Sequence, residues 1–335
     1  MSQEISAAAP YTLEEDRSQL HRFFRWLLPA VSAGAAAAAD LALPRDLEQA
    51  PVEHPYFAWL LLLSLALYLA ASALGQKVPR VKARVDHLAP LYAGITLLLN
   101  LLNLLTAKLG LLPVLYFPAM DRVLAVLAGD PVYLLKCMAY SYRLLFLGWF
   151  FGTLVGISTG ILLGFSKAAN YWIWPFIRSI GPIPSTAWIP LVLVAFPSVV
   201  SGSAFLIALS VWFPTTVLTA SGIANTRNSY FEVAATLGAG RWYQIRKVGI
   251  PAAMPSVFLG LFNGTTASFI TLVTAEMLGT KYGLGWYVNW QKEMMAYANV
   301  YAGLILIAVS FFLIITGLFK IRDRILVWQK GVIKW

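Results

Sequence analysis

Long apolar stretches set the narrowest limit on what this sequence can fold into. The clearest one runs from Phe57 to Leu74 and contains no charged residue. A helix of about 20 apolar residues crosses the hydrocarbon core of a bilayer. Seven further apolar stretches lie at residues 24–40, 89–112, 142–164, 183–198, 203–222, 252–275 and 299–320. The sequence therefore predicts an all-α, polytopic transmembrane bundle.

Two of these stretches are weaker than the others. The first, residues 24–40, is rich in alanine and contains Pro29, and the sequence leaves open whether it crosses the membrane. The fifth, residues 183–198, is short and interrupted by three prolines, each of which breaks the hydrogen-bond pattern of a helix.

The composition agrees with a membrane protein. Hydrophobic residues make up 59% of the chain and charged residues 12%, whereas soluble domains contain about 25% charged residues. The net charge of +10 is explained by basic cytoplasmic loops, so we expect contact with membrane lipids and no nucleic-acid partner. Cys137 is the only cysteine, and no Cys/His spacing indicates a metal site.

The distribution of charge predicts the orientation. Basic residues collect in the cytoplasmic loops of membrane proteins. With the N-terminus in the cytoplasm, most of the 25 Lys and Arg residues fall on that side, among them Lys77, Arg241 and Arg322, while Asp46 and Asp121 fall on the other. We therefore predict eight spans in a bacterial inner membrane, with both termini in the cytoplasm. If the first stretch does not cross, the N-terminus lies outside and the rest is unchanged.

The fourth stretch carries a glycine at every fourth position. These are Gly148, Gly152, Gly156, Gly160 and Gly164. On a helix they form one stripe, and small residues allow helices to approach closely in lipid. The stripe predicts a close helix contact, through plain packing in preference to a contact that slides during gating.

The loop between the sixth and seventh stretches carries local helix signals. Ser229 is followed three residues later by Glu232, which is the pattern of a capping box. Gly238 is suited to the left-handed position after a last helical turn. We predict a short cytoplasmic helix over about residues 230–237, which is too short to be stable alone in water.

The same loop resembles the cytoplasmic motif of binding-protein-dependent ABC importer permeases, which is E-A-A, three residues, G, nine residues and I-x-L-P. Here the matching residues are Glu232-Val233-Ala234, Gly238 and Val248-Gly249-Ile250-Pro251. In the family this segment is a coupling helix that docks in a groove of the ATPase subunit. The resemblance implies an ATPase-coupling element made of Glu232, Val233, Ala234, Ala235, Gly238 and Pro251. The alternative for Glu232 is that it only caps its own helix.

The resemblance extends over about residues 113–320 and is nearest to the nitrate, sulfonate, taurine and bicarbonate branch. It implies the type I importer permease (MetI-like) fold with extra N-terminal spans. We accordingly divide the chain into an N-terminal extension with about two spans (1–88), a permease domain (89–325) and a cytoplasmic tail (326–335).

The resemblance also implies partners. We expect two cytoplasmic ABC ATPase subunits, a periplasmic or lipid-anchored substrate-binding protein and a second permease copy, as a homodimer in preference to a heterodimer. The sequence has no G-x-x-x-x-G-K-[ST] phosphate loop and no nucleophile–base arrangement. We therefore expect a transport subunit without catalytic residues or a cofactor of its own, whose partner binds the ATP.

The seventh stretch has a polar side that we predict to line the translocation pathway. Its members are Asn263, Thr266, Thr271 and Thr274, with Glu276 at the outer end. Uncharged hydroxyl and amide groups let a small hydrated anion pass without trapping it, although hydrogen bonding between helices explains the stripe equally well. For Glu276 we expect a structural or gating contact, because a carboxylate is a poor ligand for an anion.

Together these features predict the permease subunit of an ATP-driven, binding-protein-dependent importer for a small anion. Within the same class, the alternative substrate is a neutral or cationic nutrient such as a vitamin precursor. From a different class, a channel or membrane assembly subunit without ATP coupling remains open. The lack of an intramembrane His or Asp cluster speaks against a membrane-embedded enzyme.

Overall fold

The computed structural model describes residues 28–44, 52–277 and 279–329. Regular structure in these ranges is helical. The helices are α1 (Leu28–Ala42), α2 (Tyr56–Lys77), α3 (Pro79–Asn103), α4 (Met120–Gly129), α5 (Pro131–Phe165), α6 (Lys167–Ile180), α7 (Ile189–Ala195), α8 (Val199–Ala224), α9 (Asn228–Thr236), α10 (Arg241–Gln244), α11 (Ile250–Met277), α12 (Leu284–Glu293) and α13 (Tyr297–Ile325). Most of the predicted cytoplasmic tail, residues 330–335, lies outside the described residues, as does the start of the first predicted span.

Six helical segments in the described ranges are long and apolar enough to cross a membrane. They are Tyr56–Lys77, Pro79–Lys108, Pro131–Phe165, Val199–Ala224, Arg241–Met277 and Tyr297–Ile325. The predicted all-α transmembrane bundle is therefore confirmed. The third and fourth of the predicted spans begin about ten residues earlier than the apolar stretches indicate, since polar and charged residues extend the same helices beyond the hydrocarbon core.

The predicted span at residues 183–198 is not one continuous helix; together with α6 it forms a bent helix pair that is long and apolar enough to cross the membrane as a broken span. A 3₁₀ turn (Ser185–Trp188) leads into the seven-residue α7, and this segment pairs with α6 at a bend of 85°. Pro184 adopts an extended ψ of 136°, which stops a helix. Pro190 lies in the first turn of α7, where its missing N–H is no loss. α6 itself was not expected as a helix.

The chain divides into two compact units. The first comprises Met1–Gly129 with Met295–Ala302, and the second comprises Asp130–Met294 with Gly303–Trp335. The predicted boundaries at residues 88/89 and 325/326 stay predictions.

In the first unit, buried polar contacts connect the N-terminal helices. The Asn103 Nδ2 group donates to Asp40 Oδ1 at 2.7 Å, and Lys108 Nζ lies 3.4 Å from the same oxygen. The Phe57 N–H, near the start of α2, donates to Asp121 Oδ1 at 2.7 Å. The Asp40 and Asp121 carboxylates thus each hold a residue of another helix in one position. Apolar packing alone does not specify such a position.

In the second unit, α5 packs on α8 along the glycine stripe. A Cβ added at Gly152 would lie 2.5 Å from the Ala208 carbonyl oxygen, and one at Gly160 would lie 2.5 Å from the Thr219 Cβ. These distances are below van der Waals contact, so only glycine allows this separation of the two backbones. The predicted close helix contact is confirmed.

Candidate coupling loop and transport pathway

The loop helix α9 spans Asn228–Thr236 and ends in a Schellman motif. Gly238 has φ +80°, its N–H donates to the Ala235 carbonyl at 3.0 Å, and the Ala239 N–H donates to the Ala234 carbonyl at 2.9 Å. Such paired bonds satisfy the last carbonyls of a helix. The predicted left-handed role of Gly238 is confirmed.

The predicted capping box is wrong. α9 begins two residues earlier than predicted, with Arg227 as its N-cap and no side-chain cap, so Ser229 lies inside the helix. Glu232 is then the fifth helical residue rather than a first-turn acid. Because Glu232 is exposed and makes no hydrogen bond or ion pair with any described residue, capping does not explain it.

The surface of α9 is unusually apolar for a solvated helix. None of its residues is buried, and Tyr230 and Val233 are 54% and 58% exposed. Leu237, which follows directly, is 82% exposed. A nine-residue helix is marginal on its own, and clustered exposed apolar side chains are typical of an interaction surface. The loop therefore has the character of a docking element.

The loop is attached to the end of α5 through Phe165. The Phe231 ring of α9 meets the Phe165 ring edge to face, with 6.2 Å between centroids. The Arg241 guanidinium donates to the Phe165 carbonyl at 3.2 Å, and the absence of a side chain at Gly249 leaves room for the same ring. A displacement of α9 would therefore act on α5. The sequence does not predict this contact, because a lone phenylalanine carries no signal.

The loop is also continuous with a transmembrane helix. Ile245–Gly249 forms a π-helical turn between α10 and α11, and Pro251 is the second residue of α11. Proline provides no N–H for a regular helical bond, and wider turns of this kind often occur where a helix carries function. The motif proline thus lies where the loop passes into α11.

A cavity of about 350 Å³ lies between the α6–α7 bend, α8 and α11. Of the predicted pathway residues, Asn263 and Thr271 line it, together with Ser185 and Ser210. The Thr271 and Ser185 hydroxyls are 2.7 Å apart and hydrogen-bonded, so a side chain of α11 holds the bent segment. The cavity offers hydroxyl and amide groups on an otherwise apolar wall.

The other predicted pathway residues do not line this cavity. Thr266 and Thr274 donate to carbonyls one turn back in their own helix, at 3.1 and 2.8 Å. Such bonds satisfy a hydroxyl donor within a span; Thr271 makes one too, to the Ala267 carbonyl at 3.1 Å, and differs from the other two in lining the cavity. The structure thus brings together two of the four polar residues singled out on α11.

Glu276 lies at the far end of α11 from the coupling loop and is 1% exposed. Its Oε1 accepts from the Ser141 hydroxyl at 2.7 Å and its Oε2 from the Gly285 N–H at 2.8 Å. The Ser141 oxygen in turn accepts from the Leu284 N–H at 2.8 Å. The carboxylate therefore joins α5, α11 and the start of α12. Nothing local in the sequence indicates Ser141 as its partner.

Several membrane-crossing helices, a bent segment over a polar cavity and an exposed loop helix define a transport permease subunit. Residues 152–326 match the family described as "Binding-protein-dependent transport system inner membrane component". The chain belongs to this family, so the predicted recognition and permease fold are confirmed.

Three relatives illustrate the family. The taurine transport system permease protein TauC of Escherichia coli is 30% identical over 72% of this chain and 93% of its own length. The putative aliphatic sulfonates transport permease protein SsuC of Bacillus subtilis is 31% identical over 55% of this chain and 67% of its own length. The bicarbonate transport system permease protein CmpB of Synechococcus elongatus is 30% identical over 56% of this chain and 65% of its own length.

Among solved structures, a chain of the MetNI methionine ABC transporter is similar with a TM-score of 0.49 and 17% identity, over 58% of this chain and 97% of that one. This distant likeness adds nothing to the assignment.

Proposed function

We propose that this chain forms half of the membrane channel of an ATP-driven importer for a small anion. Its partners are two ATPase subunits in the cytoplasm, a second copy of the chain and a periplasmic or lipid-anchored binding protein. ATP is bound by the ATPase subunits. Both termini and α9 face the cytoplasm of a bacterial inner membrane, which the basic loops support.

The exposed α9 is the observation that carries this proposal. Val233 of α9 and the adjoining Leu237 are exposed on the outside of the chain. α9 is connected to α5 at Phe165 and to α11 through the π-helical turn. An ATPase bound there would move two transmembrane helices at once. A joint motion of transmembrane helices of this kind can switch a permease between inward and outward access.

The anionic substrate is supported by the relatives and by the cavity. The names of the three relatives specify taurine, aliphatic sulfonates and bicarbonate. Asn263, Thr271 and Ser185 give the cavity hydrogen-bonding groups without fixed charge, which suits passage in preference to tight binding. These observations favour an anion over a neutral or cationic nutrient.

The test is purification of the full chain from membranes together with its ATPase. We expect ATPase activity to co-purify and Leu237→Glu to reduce the bound ATPase by about tenfold, because a charge enters an apolar contact. Val327→Glu is the matched control, since Val327 is 58% exposed and lies outside the loop. It should retain the ATPase.

Transport is then measured in vesicles that contain the complex and the binding protein, with nitrate, bicarbonate and taurine as probes. We expect uptake of at least one of the three that depends on ATP. Uptake without ATP would indicate a channel instead, and ATPase retention by Leu237→Glu would contradict the assignment of α9.

A further inference from the structure

A second cavity, of about 420 Å³, lies at the end of the second unit opposite the coupling loop. It is bounded by α5, the start of α8, and the segment that follows α11. The polar and charged residues of its wall are Tyr140, Arg143, Glu276, Thr280, Lys281 and Tyr282. Its volume is in the range of small-molecule sites, and the coupling role of the protein does not use it.

The cavity carries two cations that have no partner among the described residues. Arg143 and Lys281 make no hydrogen bond or ion pair in those ranges. Arg143 belongs to the membrane-crossing helix α5, at the outer start of its apolar stretch, and its side chain is exposed. An ionisable residue within such a helix is a functional-site candidate, and an anion supplied from outside the chain would provide the missing partner.

The one carboxylate in the wall forms no ion pair with either cation. Both oxygens of Glu276 are engaged, by the Ser141 hydroxyl and by the Gly285 N–H. Its backbone carbonyl also accepts from the Thr280 hydroxyl at 3.1 Å. Glu276 therefore acts as a positioning residue, which holds the segment carrying Lys281 against α5.

The two tyrosines of the cavity wall bring a third cation close to it. Tyr140 lies on the same face of α5 as Arg143 and Lys136, at i, i+3 and i−4 spacing. Its ring stacks on Tyr282 with 5.0 Å between centroids, and Lys136 Nζ lies 4.2 Å from the centre of the Tyr282 ring. The stack thus keeps a third cation next to the cavity.

We propose that this cavity binds the transported anion, as a small oxyanion of the sulfonate, nitrate or bicarbonate class, before it enters the channel. The guanidinium of Arg143 presents a planar fork that matches two oxygens of such an ion, and Lys281 adds a point charge. The assignment rests on the proposed function, since it places the substrate of that import. A lipid phosphate offers the same chemistry, so the experiment separates the two sources.

The experiment uses the complete transporter with its ATPases and binding protein in phosphatidylcholine vesicles, and the probe is whichever of nitrate, bicarbonate and taurine the wild type takes up. We expect Arg143→Gln and Lys281→Gln to lower the maximal uptake rate by about tenfold, as for loss of a charged hydrogen bond. Arg143→Lys should retain more uptake than Arg143→Gln. The control is Lys292→Gln, which removes an exposed cation of α12 that is bonded to Asn289 and should leave uptake unchanged.

Chemical rescue distinguishes a charge requirement from a structural role. Lys281→Cys should lose uptake, recover it after modification with aminoethyl methanethiosulfonate, and not recover it with the sulfonatoethyl reagent. Cys137 is fully buried, so the unmodified parent provides the background. Equal recovery with both reagents would overturn the proposal.

Three further outcomes are decisive. If the charge-removing variants match the wild type in phosphatidylcholine and differ from it only when about a third of the lipid is phosphatidylglycerol, the cavity holds a lipid phosphate and the proposal fails. If the wild type imports an anion but Arg143→Gln and Lys281→Gln do so equally well, this proposal alone fails. If the wild type imports none of the three anions, the proposed function fails first.

Discussion

The residue that sets the distance between α5 and α8 is glycine. At Gly152 an added Cβ would meet the Ala208 backbone at 2.5 Å, and backbone cannot move aside as a flexible side chain can. Glycine is therefore required at this position for close packing, although it carries a cost for helix formation elsewhere.

We predict that Gly152→Ala destabilises the protein by about 1–3 kcal/mol through overpacking. The measurement is the thermal unfolding midpoint in detergent. Gly317→Ala in α13 is the control, because nothing lies within 4 Å of its added Cβ, and it should be neutral or slightly stabilising. Equal midpoints for both variants would refute the close contact.

Glu276 is the second position where a single residue decides local structure. We predict that Glu276→Ala lowers stability by about 1–3 kcal/mol for each buried donor left unpaired, namely the Ser141 hydroxyl and the Gly285 N–H. Glu276→Gln should lose less, because its amide oxygen still accepts from Gly285 and its amide nitrogen can donate to Ser141. The unfolding midpoints of the two variants check this order, and a reversed order would contradict the hydrogen-bond assignment.

At the scale of elements, the end of α9 depends on a left-handed residue. Gly238 has φ +80°, which a β-branched side chain adopts only with strain. We predict that Gly238→Val leaves the protein inserted in the membrane but reduces the coupling of ATP hydrolysis to uptake, because the helix end and Leu237 are displaced. The measurement is the ratio of uptake to ATP hydrolysed in vesicles.

Gly240 provides the matched control for this element. It has φ −67° and nothing within 4 Å of its added Cβ, so Gly240→Val demands no unusual backbone conformation. We expect this variant to retain wild-type coupling. If both valine variants uncouple to the same extent, side-chain bulk in the loop matters and the left-handed turn does not.

At the scale of the whole molecule, the orientation in the membrane can be tested directly. The proposed topology predicts that Arg227→Cys, at the start of α9, reacts with an impermeant maleimide only from the cytoplasmic side. Glu293→Cys, at the end of α12, should react only from the outside, where its exposed side chain is accessible. Cys137 is fully buried and gives little background. Reaction of Arg227→Cys from the outside would remove the basis for ATPase coupling.

The sequence alone determined the membrane bundle and the short helix α9 of the loop. Both depend on local signals: hydropathy over the length of a bilayer for the helices, and a glycine after a short helix for Gly238. The start of α9 was harder to locate. Ser229 and Glu232 fit the pattern of a capping box, but α9 begins at Asn228 and has no side-chain cap.

Only the tertiary structure decided which residues form the sites. The Ser141–Glu276 hydrogen bond joins residues 135 positions apart, and Phe165 contacts a loop 66 or more positions further on. Likewise, Arg143 and Lys281 share a cavity although they lie 138 positions apart. No pattern within one helix specifies such pairs, because they arise from the packing of helices that lie far apart in the chain.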